Sequence, residues 1–173
     1  MIDTAGRYTT QDSHEEVDRA AWRGFLDLLK KHRKRRPING AFVALSLADL
    51  MQQTEEERAA QALAIRQRIQ ELHEHFGIRF PIYVLFTKAD LIAGFIEFFN
   101  DLGQEERAQV WGATFPMDDP ANPEGVVERF NSEFELLEQR LNDRLVERLQ
   151  DERDPQRRDL IYTLPQQFGS LRQ

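Results

Sequence analysis

The stretch Phe80-Pro81-Ile82-Tyr83-Val84-Leu85-Phe86-Thr87-Lys88-Ala89-Asp90 decides the fold of this chain. Its first part is apolar, β-branched and aromatic, a composition that predicts a buried β-strand. The strand stops at the polar quartet Thr87–Asp90, and the following Leu91–Ile96 is typical of a helix. Open α/β sheets place their ligand sites at the carboxyl ends of buried strands, so this quartet is a candidate site.

The quartet Thr87-Lys88-Ala89-Asp90 matches the [NT]-K-x-D pattern of GTP-binding proteins. The Asp90 carboxylate can accept two hydrogen bonds, from the N1–H and the exocyclic amine of guanine, and adenine offers no such donor pair. The Lys88 stem would lie along the plane of the base. Four residues with one free position recur by chance, and an N-capping role for Asp90 remains the alternative.

A second motif of the same proteins opens the chain. Asp3-Thr4-Ala5-Gly6 matches D-x-x-G, in which the Asp holds Mg²⁺ through water and the Gly amide approaches the γ-phosphate. The two motifs occur in the expected order, with a predicted helix, strand and helix between them. An ordinary strand-to-helix turn is the alternative for Asp3–Gly6, but the two matches together favour a nucleotide-binding architecture.

Helix and strand patterns alternate between the two motifs. They predict a helix over Asp12–Arg36, a buried strand over Ala41–Leu47, and a helix from the Thr54–Glu57 capping box to Gly77. We interpret Ser46 and Asp49, near the end of the Ala41–Leu47 strand, as capping residues rather than site residues. Alternation of this kind predicts βαβ units and a parallel sheet.

The second half of the chain is predicted to be more helical. A helix after Asp90 continues to about Leu102, and Leu160–Pro165 is a candidate last strand. Trp111–Pro116 is an aromatic loop, in which Trp111 and Phe115 are interpreted as a lid over the edge of the core rather than as a ligand platform. Asn122 and Pro123 would open the longest helix. Its apolar stripe is Val127, Phe130, Phe134, Leu137, Leu141, Leu145 and Leu149.

Composition limits the class of protein. With 173 residues, 40% of them hydrophobic and 31% charged, the chain is expected to be one soluble globular domain. A net charge of −7 argues against general nucleic-acid binding, and the absence of cysteine excludes disulfides and thiolate metal sites. The four histidines form no ligand cluster in sequence. No stretch is long enough to span a membrane, and no signal peptide is recognised.

The segment Lys30-Lys31-His32-Arg33-Lys34-Arg35-Arg36 has two open interpretations. It is either a solvated helix end whose cations suit the helix dipole, or a contact for acidic phospholipid or an acidic partner.

One required part of a GTP-binding domain is missing from the sequence. The phosphate loop G-x-x-x-x-G-K-[ST] holds the phosphates through its amides and lysine, and no Gly-Lys pair occurs in this chain. Met1 and Ile2 alone are also too short for the strand that would end at Asp3. We therefore expect the chain to be truncated at its start and to bind nucleotide weakly or not at all.

Three blocks of sequence carry a family resemblance. Asp3–Gln11, Asn39-Gly40 and Thr87–Phe95 resemble the cytoplasmic domain of the TssM (IcmF-type) family, inner-membrane proteins of bacterial type VI secretion systems. Trp111-Gly112 and Leu164–Phe168 strengthen the match, so the resemblance spans essentially the whole chain. It implies a scaffold domain on the cytoplasmic side of the inner membrane, with transmembrane helices only in flanking segments.

The resemblance implies an α/β fold, a P-loop-NTPase-like (GTPase-like) parallel sheet with flanking helices, truncated at the N-terminus, with a helical C-terminal part. Residues 1–116 would form the core without its phosphate loop, and residues 117–173 a long helix with a terminal strand and helix packed on it, in one domain overall. The expected partners are other membrane-complex and baseplate proteins of the secretion system, not nucleic acid.

The nucleotide site implied by the resemblance consists of Asp3, Gly6, Thr87, Lys88 and Asp90. Asp3 would hold Mg²⁺ through water, and Thr87, Lys88 and Asp90 would read the base. Arg7 stands where small GTPases have the water-orienting Gln, so no catalytic residue is assigned. No cofactor is expected in this chain, whereas GTP or ATP with Mg²⁺ is expected only of a longer chain. A scaffold domain and a truncated GTP-binding or GTP-hydrolysing switch are the two functional hypotheses.

Overall fold

The computed structural model describes residue 2, residues 15–115 and residues 126–172. The chain divides into two compact units, the first ending at Thr87 and the second beginning at Lys88. This boundary lies earlier than the division at residue 116 suggested by the sequence, and that division stays a prediction.

The described part of the first unit alternates helix and strand. Its elements are α1 (Glu15–His32), β1 (Ala41–Ser46), α2 (Leu47–Gln52), α3 (Glu55–Phe76) and β2 (Ile82–Thr87). β1 and β2 pair in parallel, with a register that runs from Ala41 opposite Ile82 to Ser46 opposite Thr87. The predicted parallel pairing of these two strands is therefore confirmed. The larger P-loop-NTPase-like sheet stays a prediction.

Local sequence signals set the ends of α3. The Thr54 hydroxyl accepts a hydrogen bond from the Glu57 amide at 3.2 Å, and the Glu57 carboxylate accepts one from the Thr54 amide at 2.8 Å. This is the predicted capping box. At the other end, Gly77 has φ 63° and its amide donates to the His73 carbonyl at 2.9 Å. A positive φ at this position favours glycine.

The core of the first unit lies between α1 and α3. Trp22 and Leu26 from α1 are buried together with Phe76 at the end of α3. Ala21 and Leu28 of the same helix are exposed. Trp22 and Leu26 are four residues apart and so lie on one face of the helix, which is the face that meets α3.

The β2 strand is formed as predicted, but its side chains are not buried. From Ile82 to Phe86, the residues are between 37% and 51% exposed. Parallel sheets are normally covered on both faces. A two-stranded sheet has no inner strand, so neither strand is shielded by sheet neighbours on both of its edges. The predictions that β1 and β2 are buried strands are therefore wrong for the chain as described, since every residue of both strands is at least partly exposed.

The described part of the second unit is helical. It contains a 3₁₀ turn (Ala89–Leu91), α4 (Phe95–Phe99), α5 (Gln104–Arg107), α6 (Val126–Asp151), α7 (Pro155–Gly169) and a final 3₁₀ turn (Ser170–Arg172). The predicted opening residues of the longest helix, Asn122 and Pro123, lie outside the described residues.

α7 corrects the prediction of a strand over Leu160–Pro165. Asp154 caps the helix by accepting hydrogen bonds from the amides of Gln156 and Arg157, and Pro155 occupies a first-turn position, where it is well tolerated. The buried side chains recur at helical spacing. They are Ile161, Leu164, Pro165 and Phe168.

The predicted helix Leu91–Ile96 is interrupted at Gly94. This residue has φ 85° and stands as the cap before α4. A Cβ at Gly94 would overlap the carbonyl oxygen of Leu160 and come within 3.3 Å of the Leu164 Cβ. The close approach of α4 to α7 therefore requires glycine at this position.

α4 is held by a buried arginine. The Arg148 guanidinium donates to the Phe98 carbonyl at 2.8 Å and to the Glu97 carbonyl at 3.0 Å, and lies 3.4 Å from the Asp101 carboxylate. Since the last carbonyls of a helix have no partner within the helix, Arg148 satisfies groups that would otherwise be buried and unpaired. Arg148 is itself only 5% exposed.

Candidate functional site

The amino-terminal half of the predicted nucleotide site cannot be placed. Asp3 and Gly6, including the Mg²⁺ role assigned to Asp3, lie outside the described residues. These two assignments stay predictions.

Thr87 is the last residue of β2 and of the first unit. Its hydroxyl donates to the Leu45 carbonyl of β1 at 3.3 Å. This bond ties the ends of the two parallel strands together. Thr87 is exposed and lies at a strand end, as its predicted role requires.

Lys88, which opens the second unit two residues before Asp90, has an unusual backbone conformation. Lys88 has φ 59° and ψ 32°, a left-handed conformation that is uncommon for residues other than glycine. Lys88 holds the cap position of the 3₁₀ turn, so the alternative that Asp90 serves as its N-cap is wrong. Asp90 is exposed, and its carboxylate has no partner within residues 15–115 and 126–172. A strained backbone at exposed polar residues is typical of functional loops.

The capping interpretation of Ser46 is confirmed. Its hydroxyl accepts a hydrogen bond from the Asp49 amide at 3.3 Å and closes the first turn of α2. The chain thus turns directly from β1 into α2, and the role of Ser46 is to cap that helix.

A second candidate site lies on one face of the sheet. Alternate strand residues point to opposite faces. Val43, Leu45 and Val84 line a groove with α3, so their neighbours in sequence point to the other side. We call that second side the open sheet face, and it consists of Phe42, Ala44, Tyr83 and Leu85.

The open sheet face is apolar and exposed. Phe42 is 61% exposed and stacks on Tyr83, with 5.1 Å between the ring centroids. Leu85 is 46% exposed beside them. Contiguous exposed apolar groups of this kind mark interaction surfaces. The sequence missed this face, because a continuous apolar run was interpreted as a strand covered on both sides.

The aromatic loop belongs to the second unit and is part of its core edge. The Trp111 ring lies 4.9 Å from the Phe168 ring and 5.6 Å from the Phe99 ring, centroid to centroid. These contacts agree with the interpretation of Trp111 as a lid. Phe115, at the end of the same loop, lies 6.4 Å from Phe130 of α6.

The described residues contain neither a metal-binding cluster nor a membrane-spanning helix. Among residues 15–115 and 126–172, no group of three or more His, Asp or Glu side chains is arranged to hold a metal ion. Within the same ranges, every helix is too short or too polar to cross a bilayer.

The similarity of this chain to known proteins is extensive. The family model of the IcmF-related N-terminal domain matches residues 15–173. The whole chain is 66% identical to the type VI secretion system component TssM1 of Pseudomonas aeruginosa and spans 16% of the length of that relative. No solved structure matches the chain. The resemblance identified from the sequence is thus confirmed, and the chain belongs to the IcmF-related family through its N-terminal domain.

Proposed function

We propose that this chain is a docking domain of the membrane complex of a type VI secretion system, built on a GTPase-like fold. The family membership and the 66% identity to a type VI secretion system component support this proposal. The observation that carries the docking role is the open sheet face, where Phe42, Tyr83 and Leu85 expose apolar surface on a paired, hydrogen-bonded strand framework. The partner would be another protein of the membrane complex or the baseplate.

The chemistry of the open sheet face suits a protein partner. Tyr and Phe supply large contact areas with few rotatable bonds, which limits the entropy lost on binding. The stacked Phe42–Tyr83 pair is already ordered by the parallel strands beneath it. An apolar partner surface would gain roughly 25 cal/mol for each Å² of apolar area removed from water.

Photo-crosslinking in the full-length protein tests this role. A photoreactive residue placed at Tyr83 or Leu85 is expected to capture another secretion component in cells that assemble the machine. The paired substitution Phe42→Glu and Leu85→Glu should abolish that crosslink and reduce secretion. Leu63→Glu with Val146→Glu is the matched control, since both are exposed apolar positions on helices, outside the two strands.

The outcome separates docking from internal packing. Crosslinks only to other segments of the same polypeptide would show that the fold itself covers the open sheet face, and the docking role would fail. Equal loss of secretion in the control pair would also count against a specific surface.

The second candidate function is a GTP switch. It is favoured by the left-handed Lys88 and the exposed Asp90 that follow a parallel strand. On this proposal Thr87, Lys88 and Asp90 read guanine, and Asp3 and Gly6 hold Mg²⁺ and the γ-phosphate. The phosphate loop would come from sequence outside these 173 residues, and no hydrolytic residue is assigned.

Calorimetric titration distinguishes the two functions. Mg-GTP, Mg-GDP and Mg-ATP would be titrated into this chain and into the full-length protein, each with an Asp90→Asn control. Guanine-selective binding that is lost in the control would establish the switch. No binding to either chain would leave the scaffold role standing, with the two motifs as inherited architecture.

A further inference from the structure

We propose that the basic segment Lys30–Arg36, at the end of α1, binds the surface of a bilayer that contains anionic phospholipids. This role is separate from the proposed docking function and does not use the open sheet face. It also goes beyond the expectation that the protein meets the membrane only through flanking segments.

The basic segment is strongly positive, whereas the rest of the chain carries a net negative charge. Six of its seven residues are Lys or Arg, and the seventh is His32. The other 17 Lys and Arg residues of the chain stand against 30 Asp and Glu residues, a balance of −13. Clusters of four to eight Lys and Arg residues on an amphipathic helix are typical of contacts with anionic lipid.

The structure leaves most of these cations available. All seven residues of the basic segment are exposed. Lys30 donates to the His75 carbonyl at 2.7 Å, and Arg33 donates to the Asn39 side chain at 2.9 Å. Four others have no partner within residues 15–115 and 126–172. They are Lys31, Lys34, Arg35 and Arg36.

The basic segment is also fixed in place. The Arg33 amide donates to the Leu29 carbonyl at 2.9 Å, and the following Pro37 is buried. Together with the bonds from Lys30 and Arg33, these contacts hold the start and the end of the basic segment in place. A preorganised patch loses less entropy when it binds a surface.

An apolar side chain accompanies the charges. Leu28 lies one turn before Lys31 on α1 and is 56% exposed. An exposed apolar group beside a basic cluster suits the boundary between lipid headgroups and acyl chains. Asp27, the acid beside Leu28 in sequence, lies 3.3 Å from the ring of His75, the residue whose carbonyl accepts a hydrogen bond from Lys30.

A bilayer fits better than a nucleic acid. A long nucleic acid would follow the protein surface beyond seven residues and meet the acidic remainder. The segment also lacks the aromatic residues on which single-stranded bases stack. A flat membrane would contact the exposed basic segment over a limited area, and acidic groups farther away than about 8–10 Å are screened by salt.

Vesicle flotation with the full chain tests the proposal. The vesicles would contain phosphatidylcholine alone or phosphatidylcholine mixed with phosphatidylglycerol. Binding is expected only to the mixed vesicles and should disappear as salt rises from about 0.15 M to about 0.5 M. Each basic residue near an anionic surface contributes about fivefold in affinity.

Two matched variants locate the binding surface. Replacing Lys31, Lys34, Arg35 and Arg36 by Gln removes four exposed cations while keeping the bonds of Lys30 and Arg33. We expect at least about a hundredfold weaker binding. The control variant removes the same charge at four exposed positions outside the basic segment that have no partner among the described residues, and it should bind as the parent does. Its positions are Arg23, Arg66, Arg140 and Arg158.

Three results would overturn the proposal. One is the absence of binding to the mixed vesicles at low salt, which needs no variant. Another is equal loss in both variants, which would show a net-charge effect instead of a surface. The third is that a single-stranded oligonucleotide binds more tightly than the vesicles at about 0.15 M salt, which would assign the segment to nucleic acid.

Discussion

The strand β2 and the helix α4 are similar in sequence character but differ in their surroundings. β2 is apolar from Ile82 to Phe86, yet those residues are exposed on a two-stranded sheet. α4 is only five residues long, yet it contains Phe98, which is completely buried against its neighbours in the second unit. Both elements consist mainly of large aliphatic and aromatic residues, so residue type does not account for the difference in burial.

The comparison shows that burial depends on the number of elements that pack on a segment. A strand in a sheet needs neighbours at its edges and cover on two faces, and such cover comes from distant sequence. α4 packs against α7, and α6 supplies the buried Arg148 that holds its carbonyls. An isolated apolar run therefore predicts secondary structure better than it predicts burial.

The largest expected effect tests the comparison directly. Phe98→Ala should lower the free energy of unfolding of the second unit by roughly 4 kcal/mol, because it removes a fully buried ring and leaves a cavity. Phe86→Ala removes a ring that is 51% exposed, and should cost below about 1 kcal/mol. Urea unfolding monitored together with amide hydrogen exchange would measure both. Equal losses would show that β2 is covered in solution.

Gly94→Ala should be nearly as damaging, at about 3 kcal/mol. The new methyl group would overlap the Leu160 carbonyl oxygen, and the backbone would be held at φ 85°, which is unfavourable for alanine. Gly24→Ala is the control, because no atom lies within 4 Å of its added Cβ and α1 should gain roughly 0.5–1 kcal/mol. Thermal unfolding of the two variants should therefore shift in opposite directions.

Arg148→Met keeps the length of the side chain and removes its donors. We expect a loss of about 2 kcal/mol in unfolding free energy, because the carbonyls of Glu97 and Phe98 are left without these bonds. Arg140→Met, at an exposed position of the same helix α6, should change stability by less than about 0.5 kcal/mol. If the two variants unfold at the same urea concentration, Arg148 does not stabilise α4.

Much of the local structure could be predicted from the sequence. The bounds of β1 and α3 lie within about a residue of those expected. The capping box at Thr54 and the left-handed Gly77 were predicted with their mechanisms, because such signals depend only on neighbouring residues.

The errors have a common physical cause. Leu160–Pro165 was predicted as a strand from its apolar, β-branched content, but the cap at Asp154 and contacts with α4 and α6 favour a helix. Gly94 was placed inside a helix, since nothing local reveals that the Leu160 carbonyl lies against it. The open sheet face was missed because its exposure depends on which distant segments pack there.

Of the predicted nucleotide site, Thr87, Lys88 and Asp90 have exposed positions, and Asp3 and Gly6 stay predictions.

A smaller effect is expected at the capping box of the first unit. Thr54→Ala removes the hydroxyl that accepts the Glu57 amide and should cost about 1 kcal/mol. Thr54→Ser keeps the acceptor and should restore most of that loss. Thermal unfolding of both variants tests whether the helix that supports the sheet depends on this cap, and equal melting temperatures would show that it does not.

The smallest expected effect is a pH dependence at the junction of α6 and α7. The Asp154 amide is the main cause of a lowered pKa at Glu152, opposed by desolvation and supported by Arg157 and the Arg153 amide. Glu152 accepts from the Arg153 and Asp154 amides at 2.9 Å and 3.0 Å. Because the carboxylate has the lower pKa in the folded state, it stabilises the fold above the unfolded pKa.

That contribution should be lost as the pH falls through the folded pKa of Glu152. An NMR titration of its carboxyl carbon should give a midpoint below the ordinary value for glutamate. In Arg157→Gln the midpoint should move partway back, because the guanidinium that lies 3.3 Å from the carboxylate is gone. If the parent chain instead titrates at the ordinary pKa of glutamate, the Glu152 carboxylate does not accept the hydrogen bonds from the Arg153 and Asp154 amides in solution. The ordered turn between α6 and α7 would then depend on the Asp154 cap alone.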